Sequence, residues 1–121
     1  MYKATMPQTE DDVQRSYDGY LLFHRVSQET VDRLIALGRE SGIELDVSPT
    51  AMEFRFVGRD TNRFVVRILQ RIADIIKEAD GEVQCEVSKD TDLSFEFYRI
   101  RGGRLFRQLA DVVRQPEEEV S

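Results

Sequence analysis

The chain has one histidine, His24, and one cysteine, Cys85, and this scarcity limits the chemistry it can perform. A protein zinc site needs three or four convergent nitrogen, sulfur or carboxylate ligands, and these two residues lie far apart in sequence. No serine or cysteine stands at a spacing that ties it to His24 as a nucleophile, so His24, between Phe23 and Arg25, reads as a structural histidine at a strand rim before it reads as a lone general base. Cys85 keeps step with Val83 and Val87, which marks it as a small core hydrophobe; as the single cysteine it has no disulfide partner within the chain. Gly102-Gly103 followed by Arg104 could open a helix toward an anion, but every other element of a dinucleotide or Walker loop is missing. A turn that needs positive φ accounts for the two glycines. Carboxylates are plentiful, yet no pair stands out as a magnesium site. No catalytic residue, no metal and no cofactor is expected.

What remains is charge, and its location carries more information than its sum of −6. Glu10, Asp11, Asp12 and Asp18 outweigh Lys3 and Arg15 in residues 1–18, while Glu117, Glu118 and Glu119 stand unopposed in 116–121. The stretch between is close to neutral, so its pattern decides what it can attract. These polar ends, poor in periodic apolar positions, are expected to be an acidic N-terminal tail over 1–18 and an acidic C-terminal tail over 116–121, flanking one domain over 19–115. At 121 residues the chain is long enough to bury one sizeable core. It contains no apolar run of the about 20 residues that a membrane-spanning helix requires, and no secretory signal opens it; a cytoplasmic protein without membrane contact is expected.

The elements that would position these charges follow from hydrophobic period. Gly19 through Val26 suits a strand. Ser27 can cap a helix in which Val31, Leu34, Ile35 and Gly38 hold helical spacing up to a C-terminal cap at Gly42. The period then falls to two: Ile43, Leu45 and Val47, a Ser48-Pro49-Thr50 turn, then Met52, Phe54 and Phe56. Asp60 or Thr61 can cap a second helix to about Ala79, with Val65, Ile68, Leu69, Ile72, Ile75 and Ile76 as its stripe. Val83, Cys85 and Val87 predict another strand, and Leu93, Phe95 and Phe97 a further one. Beyond Gly102-Gly103, the spacing of Leu105, Leu109, Val112 and Val113 predicts a C-terminal helix ending at Pro116. The expected class is α+β: a ferredoxin-like split β-α-β core, β-α-β-β-α-β, extended by a strand and a helix, with the helices on one face of an antiparallel sheet.

Strand parity then sorts side chains between the two faces. With Met52, Phe54, Phe56, Leu93, Phe95 and Phe97 placed toward the helices, the open face collects Glu44, Asp46, Glu53, Glu82, Glu86 and Glu96, with Arg55 as its base. The predicted fold resembles that of RNA-recognition domains, which read bases with aromatics on the open face, but a face this acidic repels phosphate. A second feature has the opposite sign: Arg63, Arg67 and Arg71 recur along the second helix, and Arg99, Arg101, Arg104 and Arg107 surround the double glycine. Three classes of function follow. The first is a non-enzymatic binding module that engages the basic surface of a protein partner through the acidic face, in the manner of an inhibitor, antitoxin or immunity factor. The second is a nucleic-acid-associated domain that uses the arginine edge, and the third a small enzyme or ligand-binding domain without a recognisable motif.

Overall fold

The computed structural model describes residues 13–89 and 92–111, so residues 1–12 of the expected N-terminal tail and the whole expected C-terminal tail, 116–121, lie outside the described residues. Two helices form where the periodicity places them. In α1, Gln28–Ser41, the Ser27 hydroxyl accepts a hydrogen bond from the Thr30 amide, and Gly42 closes the helix in the left-handed conformation at φ 73°. Val31, Leu34, Leu37 and Gly38 are its buried positions. Helix α2, Phe64–Ile75, buries Val65, Ile68, Leu69, Ile72 and Ala73, and ends four residues before the expected Ala79. The Asp60 carboxylate takes the Val65 amide at 2.8 Å and so satisfies one of the first-turn donors.

The strands are β1 (Gln14–Leu22), β2 (Glu44–Val47), β3 (Ala51–Arg59), β4 (Asp80–Lys89), β5 (Asp92–Arg101) and β6 (Arg104–Asp111). They form one six-stranded antiparallel sheet in the order β2-β3-β1-β4-β5-β6, and with the two helices the fold is α+β. The core lies between one sheet face and the helices, where Tyr17, Leu21, Met52, Phe54, Val83, Cys85 and Ile100 from the strands meet Leu34, Leu69 and Ile72.

Three expectations are corrected. The first strand opens at Gln14 rather than Gly19, so residues 14–18, assigned from sequence to the tail, form the start of the central strand. Arg15 and Tyr17 there are buried, because alternation carries both to the helix side between β3 and β4. The strand also ends earlier, leaving His24 exposed in a bend beyond it. In the third correction, Arg104–Asp111 is a strand where helical spacing predicted a helix. Gly102 and Gly103, at φ 57° and 74°, supply the two positive-φ positions of a two-residue type I′ hairpin, and Arg101 pairs with Arg104 across it. Once β5 offers its edge, that tight reversal returns the chain as its neighbour.

Candidate functional site

Both helices pack on one side of the sheet, and among the described residues nothing covers the other side, the open face. Ladder register states what lies there. One cross-strand row runs Asp46, Glu53, Tyr20, Glu82, Arg99, Phe106, and the next runs Glu44, Arg55, Asp18, Gln84, Phe97, Gln108. Five of the six acids expected on this face, Glu44, Asp46, Glu53, Glu82 and Glu86, are brought together on β2, β3 and β4, and all five are exposed. Asp18 on β1 joins them, missed from sequence because the expected strand began only at Gly19, after it. Ser16, Asp18, Gln84 and Glu86 line a shallow depression of about 230 Å³. Asp46 stands directly opposite Glu53, a like-charge pairing that opposes folding slightly.

The sixth acid, Glu96, is on the other face. Cys85 pairs with Glu96 and Gln84 with Phe97, so β5 turns Glu96, Tyr98 and Ile100 to the helices and Phe95, Phe97 and Arg99 to the open side. This reverses the sequence-based parity for that strand. The cause is visible in the partners waiting on the helix side: Glu96 is only 8% exposed because arginines and a tyrosine meet it there. Arg63 places Nη2 2.5 Å from Glu96 Oε1 and 2.7 Å from the Tyr98 hydroxyl, which itself donates to Glu96 Oε1 at 2.7 Å. Arg63 Nε donates to Asp60 at 3.0 Å, the Tyr17 hydroxyl donates to the same carboxylate at 2.5 Å, and Arg15 reaches within 3.8 Å of Glu96 Oε2. Asn62 and Arg63 hold left-handed backbone at φ 56° and 54°, which swings the Arg63 guanidinium into this cluster just ahead of α2.

Such a cluster binds its own members. Burial, together with the bond to Asp60, raises the Tyr17 pKa, and burial with the bond to Glu96 raises that of Tyr98. Desolvation works against the Arg63 cation, but Tyr17, Tyr98 and Glu96 outweigh it and hold it charged. Burial pushes the Cys85 thiol up to about 12, and the Glu96 charge adds to it, which keeps the thiol protonated at neutral pH. No group of three or more His, Cys, Asp or Glu side chains capable of holding a metal occurs among the described residues.

The expected arginine edge is divided by the fold. Arg63 enters the buried cluster; Arg67 bonds the Asn62 carbonyl and is exposed, as is Arg71. Arg107 lies on the helix side of β6, opposite Tyr98. Arg99, Arg101 and Arg104 share the open face with Phe95, Phe97 and Phe106: the Phe95 and Phe97 rings stack at 6.2 Å between centroids, and Arg101 lies 4.6 Å over the Phe106 ring. Arg99 also reaches Asp80 at 3.2 Å. The open face therefore has an acidic half on β2, β3, β1 and β4 and an aromatic, arginine-bearing half on β5 and β6. No helix among the described residues is long and apolar enough to cross a membrane. No family model matches the chain, and neither do any curated protein or solved structure.

Proposed function

We propose that the protein is a non-enzymatic binding module that engages a protein partner through the open face of its sheet. The observation that carries this reading is the pairing on one sheet face, which no described residue covers, of a six-acid half, Asp18, Glu44, Asp46, Glu53, Glu82 and Glu86, with an aromatic and arginine half. Aromatic and arginine side chains supply most binding energy at protein interfaces, and one-sign charge beside them steers the approach of an oppositely charged surface. The partner is a protein with a basic patch next to an apolar one. A cytoplasmic setting suits a chain with one buried thiol. In the same reading, the order β2-β3-β1-β4 with a helix after β1 and after β3 supports a ferredoxin-like split β-α-β unit, to which the β5–β6 hairpin is an addition.

The test starts from a pull-down that recovers the partner. Glu53→Lys with Glu86→Lys should slow association at low salt, and the difference should shrink as salt rises, since screening acts over about 8–10 Å. Equal association of the double variant and the parent at low salt would remove the acidic half from the mechanism. One observation favours a second reading, in which the chain binds single-stranded nucleic acid: Phe95, Phe97 and Phe106 stand beside Arg99, Arg101 and Arg104, the ingredients of a base-stacking platform. Fluorescence anisotropy with a labelled single-stranded RNA separates the two, because Phe97→Ala would weaken RNA binding while Glu53→Lys would strengthen it.

A further inference from the structure

The two sheet edges are unequal. The β2 edge has four residues, whereas β6 has eight and nothing among the described residues pairs with its outer side. The type I′ hairpin settles which backbone groups of β6 point outward. Its flanking pair, Arg101 and Arg104, is hydrogen-bonded across the turn, and hydrogen-bonded pairs alternate with non-hydrogen-bonded ones along an antiparallel ladder. Arg104, Phe106, Gln108 and Ala110 thus turn their N–H and C=O groups toward β5. Leu105, Arg107, Leu109 and Asp111 present theirs to the free edge. The strand contains no proline or lysine, its charges are Arg104, Arg107 and Asp111, and Leu109 is 62% and Phe106 39% exposed.

We infer that this edge pairs with the same edge of a second copy, antiparallel and centred on Gln108, to give a continuous twelve-stranded sheet in a two-fold dimer. Symmetry and facing leave two central registers. Centring on Arg107 sets two guanidiniums directly opposite one another, a destabilising like-charge pair. Centring on Gln108 moves them to diagonal positions, sets Arg107 opposite the exposed Leu109 and fits the large Phe106 against the small Ala110. In that register Arg107 and Leu109 exchange both backbone hydrogen bonds, as do Leu105 and Asp111, on each side of the axis. The two Gln108 residues form a non-hydrogen-bonded pair, whose Cα atoms approach to about 4.5 Å, within the span a disulfide bridges.

Cysteine substitution and sedimentation test this directly. Gln108→Cys should form a disulfide-linked dimer under mild oxidation. Phe106→Cys, displaced along the strand from its symmetry mate, should not cross-link, and the parent chain should stay unlinked because Cys85 is buried. The parent should sediment with twice the chain mass at high protein concentration. Leu109→Pro removes only an edge-facing N–H, so it should keep its circular dichroism and sediment as a monomer. If that proline unfolds the hairpin, Leu109→Lys, which sets a second cation opposite Arg107 of the other copy, should weaken the dimer at least tenfold. A parent that sediments as a monomer at all concentrations, a Gln108→Cys chain that resists oxidation, or a dimer indifferent to Leu109→Lys would each overturn the inference. So would slow exchange of the Leu105, Arg107 and Leu109 amides in a monomer, since the edge would then be covered by the chain itself.

Discussion

Replacing Glu96 by alanine tests the reversed parity of β5 more sharply than any other change. Had Glu96 lain on the open face, its loss would alter stability by no more than about 0.5 kcal/mol, as for most exposed sites. In its observed place it is the acceptor for Arg63 and Tyr98 and lies within ion-pair distance of Arg15, in a site where Arg15 is 1% exposed. Removing one partner from a buried charge pair costs about 3–5 kcal/mol, because the remaining charge stays desolvated. The Arg63 side chain is 24% exposed, and water can reach part of it, so the lower end, about 3 kcal/mol, is expected. With a urea slope of about 1–3 kcal/mol per molar, the unfolding midpoint should fall by about 1–3 M at unchanged slope. Glu86→Ala, exposed on the open face, is the matched control and should stay within about 0.5 kcal/mol of the parent. A double-mutant cycle with Arg63→Ala should return a coupling of about 1–3 kcal/mol. Equal midpoints for Glu96→Ala and Glu86→Ala would refute the buried cluster and restore the parity read from sequence.

Two further outcomes follow from burial and ionisation. Phe54→Ala, at a fully buried core position, should cost about 3–5 kcal/mol, whereas Phe97→Ala on the open face should cost about 1 kcal/mol or less; comparable losses in urea unfolding would argue against the two-faced sheet. Alkaline pH should destabilise the fold in stages, because the raised pKa values of Cys85, Tyr17 and Tyr98 mean that the unfolded chain releases protons first. Stability from Cys85 is complete below about pH 8.5, where the unfolded thiol titrates, and is lost as pH rises toward about 12; the tyrosines add a steeper loss above about pH 10. Cys85→Ala should delete the first stage of that decline in alkaline unfolding curves, and an unchanged profile would sink the assignment.

Amphipathic period alone was enough to locate both helices, the β2–β3 hairpin and β4, because each buries a single face and its apolar residues recur at the matching spacing. The Ser27 and Gly42 caps were legible for the same local reason. The five acids that do share the open face followed from alternation in strands whose apolar partners were unambiguous. Where the period was balanced, only tertiary structure decided. In β5, Leu93, Phe95 and Phe97 offered one apolar set and Tyr98 and Ile100 another, and Glu96 weighed against the second until Arg63, Arg15 and Tyr98 were gathered around it. That gathering depends on a left-handed backbone at Asn62 and Arg63; asparagine tolerates that conformation, but arginine gives no signal of it. Residues 14–18 read as tail because they continue a polar, acid-bearing stretch poor in periodic apolar positions, and the cation Arg15 is buried only where β3, β4 and Glu96 surround it. For 104–111 the same leucines fit either a helix or a strand. A two-glycine turn that places the segment beside an open edge made it a strand, since hydrogen bonds to β5 outweigh a helical spacing that local sequence supports but no core requires.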